Sequence, residues 1–136
     1  GCAPIVKAWE NDAEKIVCWQ NPQTEAHAIA NPMPPSGNRV LQILRQEQGF
    51  AVAVAEDAIL QTQKDLAQNG LFVQPASAVA LAAAIKLVKE GLLPRQARIA
   101  CVLTGSGLKY TSVLSKQQLS YQTCGIEKLE GLLKNL

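Results

Sequence analysis

The chain has 136 residues, 48% apolar and 18% charged, a size and balance that suit one well-buried globular domain and exclude a disordered chain. A net charge of +2 with scattered basic residues excludes an electrostatic nucleic-acid binder, and no apolar run approaches the roughly 20 residues that span a bilayer. Four cysteines without a C-x-x-C pair and a single His exclude a zinc site and point to a reduced, cytoplasmic setting.

Aromatic residues are only 4%, so the core must be built from Leu, Val, Ile and Ala. Gly1-Cys2-Ala3-Pro4 leads into Ile5, Val6, Ala8 and Trp9, a short helix with Pro4 in its first turn. Such an apolar opening suggests a truncated chain, with Ile5, Val6 and Trp9 as an exposed patch that drives self-association. Lys15 to Trp19 reads as a strand. Gln20 to Asn38 reads as a loop, with a helical turn at Glu25 to Ile29 and a turn and cap at Ser36-Gly37-Asn38. His27 in this loop has no evident acid partner and reads as a surface or packing residue.

The pattern then becomes regular. Val40, Leu41 and Leu44 predict a helix closed by Gly49 as its left-handed residue. Phe50 to Val54 predicts a strand buried on both faces. Glu56-Asp57 caps a helix whose stripe is Ile59, Leu60, Leu66 and Ala67, ended by Asn69-Gly70. Leu71-Phe72-Val73 is a short strand. A helix from Ala76 to Glu90 follows, with Pro75 at its first position and Val79, Ala80, Ala83 and Leu87 on its buried face. Arg98 to Leu103 predicts a further strand, with Cys101 a buried thiol. Gln117 to Gln122 reads as an edge strand and Ile126 to Leu133 as a helix. Strands alternating with helices predict a single α/β domain over residues 1–136, a three-layer, doubly wound, mainly parallel sheet.

Two segments carry chemistry. Thr104-Gly105-Ser106-Gly107 leaves an apolar strand directly, and such a turn is either a tight exit or a place where backbone approaches a ligand. Gln74-Pro75-Ala76-Ser77-Ala78 opens a helix, where Ser77 either caps or lies beside an anion. In open α/β sheets ligands bind at the carboxyl ends of strands, so the pair points to one crevice.

Leu71-Phe72-Val73-Gln74-Pro75-Ala76-Ser77-Ala78 and Thr104-Gly105-Ser106-Gly107-Leu108-Lys109 resemble the "FVEPASA" and "TGxGLK" segments of threonine synthases and related fold-type-II pyridoxal-phosphate enzymes. Gly1 to Val6 resembles that family's "GAAPIV" stretch, and Ala30-Asn31-Pro32 its "NP" loop. The resemblance implies a C-terminal portion of such an enzyme, whose intact form converts O-phosphohomoserine and water to threonine and phosphate with pyridoxal 5'-phosphate. It implies that Thr104, with Gly105, meets the cofactor's pyridine nitrogen, that Gln74 and Ser77 lie near the ring, and that Asn31 lines the site. Gln74 departs from the family's Glu and lacks its charge.

No segment resembles the "S-F-K-D" stretch that carries the family's Schiff-base lysine, and the Gly-rich phosphate loop is missing too. The resemblance therefore implies a chain inactive alone, binding no cofactor alone, completed by an N-terminal part of the same enzyme and forming homo-oligomers. Two alternatives stand beside it. One is a non-catalytic domain or partner subunit. The other is a fragment of a threonine dehydratase-like lyase. A generic nucleotide binder lacks its fingerprint, because Gln20-Asn21-Pro22 follows the first strand.

Overall fold

The computed structural model describes residues 1–111 and 123–134. Among the described residues five α-helices run in chain order: α1 (Pro4–Glu10), α2 (Gly37–Gln46), α3 (Glu56–Gln68), α4 (Pro75–Lys89) and α5 (Ile126–Leu133). Two 3-10 turns, His27–Ile29 and Gly107–Lys109, punctuate the loops. The expected edge strand at Gln117 to Gln122 lies outside the described residues.

Helices form where local signals favour them. Pro occupies the first turn of both α1 and α4, where its missing N–H is no loss. Glu56 and Asp57 place negative charge at the start of α3, although its N-cap, Ala55, offers no side-chain bond. Gly70 and Gly91 follow α3 and α4 with positive φ, the left-handed conformation that ends a helix.

The end of α2 differs from expectation. Glu47 is its C-cap, and the left-handed residue is Gln48 at φ 52°, not Gly49. Gly49 N–H instead bonds the Leu44 carbonyl at 2.8 Å, the outer bond of a Schellman closure. The N-terminus of α2 differs as well. Ser36 makes no side-chain cap, and the Asn38 side chain reaches back to accept the Ile16 N–H at 2.9 Å.

Two apolar clusters hold the helices. Ala26, Ile59, Leu66, Val73 and Ala78 join α3 and α4. Ala8, Ile16 and Leu41 join α1 and α2, with Ile5 and Trp9 packed against them. Ile5, Val6 and Trp9 are therefore half-buried, not the exposed patch the sequence suggests. Ile5 and Trp9 pack on the cluster that holds Leu41, which is fully buried. α4 also buries more than one stripe. Ser77, Ala78, Ala82, Ala84 and Leu87 are inside, while Val79, Ala80 and Ala83 are half-buried. Such small residues let α3 and α4 approach closely, and each buried Ile or Leu between them contributes about 1.5–3 kcal/mol.

The expected strands are the main departure. Among the described residues the β pairing is one isolated antiparallel bridge, Val73 with Ser106. Lys15 to Trp19, Phe50 to Val54 and Arg98 to Leu103 belong to no ladder among the described residues. Phe50, Ile99, Val102 and Leu103 are exposed where burial on both faces was expected, and Cys101 is only half-buried. A strand is completed by a neighbour's backbone, not by its own side chains. These segments have the apolar pattern without a pairing neighbour among the described residues.

Candidate functional site

The short segment before α4 and the turn after Leu103 meet face to face. Gln74 N–H bonds the Gly105 carbonyl at 3.0 Å, and Gly107 N–H bonds the Phe72 carbonyl at 3.0 Å. These bonds flank the Val73–Ser106 bridge and bring the two strand ends into one corner. The Val73 carbonyl faces the other way, where buried Gln63 of α3 donates its side-chain Nε2 to it at 2.7 Å. That far edge is closed by an amide side chain.

At this corner Ser77 is 1% exposed and does not act as a helix cap. Its Oγ accepts the Gly105 N–H at 2.9 Å and lies 3.2 Å from the Thr104 Oγ1 and 3.4 Å from the Gly105 carbonyl. A serine hydroxyl has one proton. Donated to Thr104, it leaves the Thr104 O–H free to donate outward. Donated to the Gly105 carbonyl, it makes Thr104 donate inward and leaves the Thr104 lone pairs as outward acceptors. Thr104 itself is exposed, so the corner ends in a neutral hydroxyl that serves either kind of ring nitrogen.

Gly105 is required by its neighbour. A Cβ at this position would sit 2.6 Å from the Gln74 side-chain amide. Gln74 is buried, so its amide lies flat over the turn instead of pointing to solvent. A Cβ at Gly107 would likewise meet the Phe72 ring at 2.7 Å. Both glycines let side chains from the α4 entry pack directly on backbone.

Four of the five expected site residues, Gln74, Ser77, Thr104 and Gly105, thus meet. Asn31 does not join them. Its side-chain oxygen accepts the Met33 N–H at 3.0 Å, and it lines a cavity of about 410 Å³ walled by the first residues of the chain, Thr24, Ile29, Val52 to Val54, Glu56 and Val79.

Glu56 was legible only as a helix-start residue, yet it ties that cavity together. Its carboxylate accepts the Glu25 N–H at 3.0 Å and faces the N-terminal ammonium at 3.7 Å. Burial alone would raise its pKa. The hydrogen bonds from the Thr24 side chain and the Glu25 backbone, with the ammonium, outweigh burial and hold it below its ordinary 4.5. The partners lie 31 positions apart in sequence, which no local pattern reveals. His27, read as a surface or packing residue, is exposed and stacks on Tyr110 with ring centroids 6.1 Å apart, just beyond the Gly107–Lys109 turn.

Comparison with known proteins points the same way. The family model described as pyridoxal-phosphate dependent enzyme matches residues 1–105. The threonine synthase of Methanocaldococcus jannaschii is 36% identical over 139 residues, covering 100% of this chain and 34% of that protein. That of Methanosarcina acetivorans is 40% identical over 110 residues, covering 80% of this chain and 27% of its own length. That of Mycobacterium tuberculosis H37Rv is 33% identical over 90 residues, covering 65% and 25% respectively. The chain spans about a third or less of the curated relatives it matches.

Proposed function

The chain belongs to the pyridoxal-phosphate dependent enzyme family, and from that premise we propose that it forms the C-terminal wall of a threonine synthase active site. The family is α/β. The doubly wound parallel sheet belongs, in this proposal, to the whole enzyme, with residues 1–136 contributing one α/β unit to it. The reaction is conversion of O-phosphohomoserine and water to threonine and phosphate.

The observation that carries the reading is the hydroxyl chain from Gly105 N–H through Ser77 to Thr104. It ends in a neutral hydroxyl at the surface that can donate, which fits the edge of an uncharged pyridine ring. Thr104 would hold the ring nitrogen, with Ser77 fixing its rotamer and proton. Gly105 would let the ring edge come close, and the Gln74 amide would back the turn. Bound there, pyridoxal phosphate supplies the electron sink for elimination and replacement chemistry. A hydroxyl at the nitrogen, in place of a carboxylate, leaves that sink moderate.

The amine that carries the cofactor must come from outside this chain. None of its nine lysines lies in a stretch like the family's "S-F-K-D" segment. The chain alone is therefore inactive, and the remaining two thirds of a threonine synthase-length polypeptide are its partner. Borohydride reduction in the presence of pyridoxal phosphate tests this. The account expects no stoichiometric labelling of any single lysine of the chain and no threonine formed. Labelling of one lysine together with threonine synthesis would overturn it.

A further inference from the structure

The turn that carries Thr104 is tied down along its length. At its start the Gly105 N–H is held by Ser77 at 2.9 Å, and further on the Gly107 N–H is held by the Phe72 carbonyl at 3.0 Å. Both ties lead to the entry of α4. The tie at the far end leads elsewhere. There the Tyr110 N–H closes the 3-10 turn on the Gly107 carbonyl at 2.9 Å, and the Tyr110 ring stacks on His27 with an interplanar angle of 26°. Leu108 and Lys109, just before it, point their side chains to solvent and do not anchor that end.

His27 is fixed from its own side as well. The residue before it, Ala26, is buried in the cluster with Val73 and Ala78, the chain neighbours of Gln74 and Ser77. The residues after it are bonded in succession. Ala30 N–H bonds the His27 carbonyl at 3.1 Å, and Asn31 N–H bonds the Ile29 carbonyl at 2.8 Å. A shift at His27 is thus passed on to Asn31 and the cavity that it lines. An offset ring pair at this separation is favourable beyond the area it buries, and His27 is exposed, so burial does not account for the contact.

We propose that His27 is a positioning residue of the site. Stacked on Tyr110, it latches the loop that ends at Asn31 onto the turn that carries Thr104, and so sets the spacing between the Thr104 hydroxyl and the cavity wall. The role calls for a flat ring and not for a proton, since the contact is made through the two ring planes. Its bearing on the cofactor rests on the proposed function; the latch itself does not.

Two measurements separate the latch from the site. In the free chain, His27→Ala is expected to speed amide exchange at Ile29, Ala30, Asn31 and Tyr110 about threefold or more. Tyr110→Ala is expected to do the same at Ile29, Ala30 and Asn31, and the double substitution to add little to either. His27→Phe keeps a ring and restores the parent's rates. The second measurement uses the complex of this chain with the rest of the Methanocaldococcus threonine synthase. Titration with pyridoxal phosphate, followed by absorbance, is expected to show about threefold weaker binding for His27→Ala and parental binding for His27→Phe. Unchanged exchange in His27→Ala overturns the latch, and so does a His27→Phe that behaves like the alanine variant. Faster exchange with unaltered cofactor affinity overturns the positioning role. A complex of the parent chain that binds no cofactor sinks the proposed function and the positioning role with it, while exchange in the free chain still decides the latch.

Discussion

Ser77 is the residue on which the hydroxyl corner turns. It is buried, accepts the Gly105 N–H and orients Thr104, so Ser77→Ala strands a backbone donor inside the protein. The expected loss is about 1–3 kcal/mol, measured as a lower denaturant midpoint with unchanged slope. Gly105→Ala is expected to be comparably destabilising, because its Cβ meets the Gln74 amide. Gln74→Ala made in the same chain should recover much of that loss, a coupling a double-mutant cycle will read. If Gly105→Ala is equally harmful with and without Gln74, the contact is not the cause. At this scale the sequence was most informative where a motif is contiguous. Thr104, Gly105, Gln74 and Ser77 were legible as two small-residue turns after strands, and the structure joins them. Asn31 was read onto the same crevice from a loop motif, but such a motif does not state which wall the side chain lines. Its side chain is held by Met33 beside the other cavity.

At the scale of elements, the helices were readable and the sheet was not, for one physical reason. Helical bonds are local, so periodicity, Pro at the start and Gly at the end suffice, as in α4 and in α5, which begins and ends where the sequence predicts. Strand bonds join distant segments, so an apolar run such as Arg98 to Leu103 states a preference and names no partner. The end of α2 supplies a test. Gln48 holds a left-handed φ that an L side chain resists by about 1–2 kcal/mol. Gln48→Gly should relieve part of this and raise stability by about 1 kcal/mol, read from denaturant unfolding. No gain, or a loss, would contradict the closure described. The start of α3 supplies another. The Glu56 carboxyl is held below its ordinary 4.5 in the folded chain, so the folded state binds fewer protons than the unfolded one as pH falls through that range. Its stabilisation is present above about 4.5 and is lost as pH drops through the lower folded value. Thermal unfolding should therefore show Glu56→Gln less stable than the parent at neutral pH, with the gap closing as pH falls well below 4.5. A gap that widens in acid would contradict the assigned partners.

Across the whole molecule, several large apolar side chains are open to solvent. Val17, Val102, Leu108 and Ile126 are each more than 70% exposed, while the N-terminal cluster around Leu41 is closed. Composition pointed to a buried globular domain, but composition counts apolar residues without showing which will find partners. The isolated chain is expected to self-associate through these side chains, seen in sedimentation as a concentration-dependent mass. A monomer at all concentrations would contradict that. Among the described residues no helix is long and apolar enough to cross a membrane, and no group of His, Cys, Asp and Glu is placed to hold a metal. The proposed function places the cofactor's ring nitrogen at the Thr104 corner. The most direct test is a pyridoxal phosphate titration of the complex of this chain with the rest of a threonine synthase, followed by absorbance, for Thr104, Thr104→Val and Thr104→Ser. Valine is expected to weaken cofactor binding about tenfold, the worth of one hydrogen bond, and serine to restore it. Equal affinity for all three would mean that this hydroxyl does not face the cofactor.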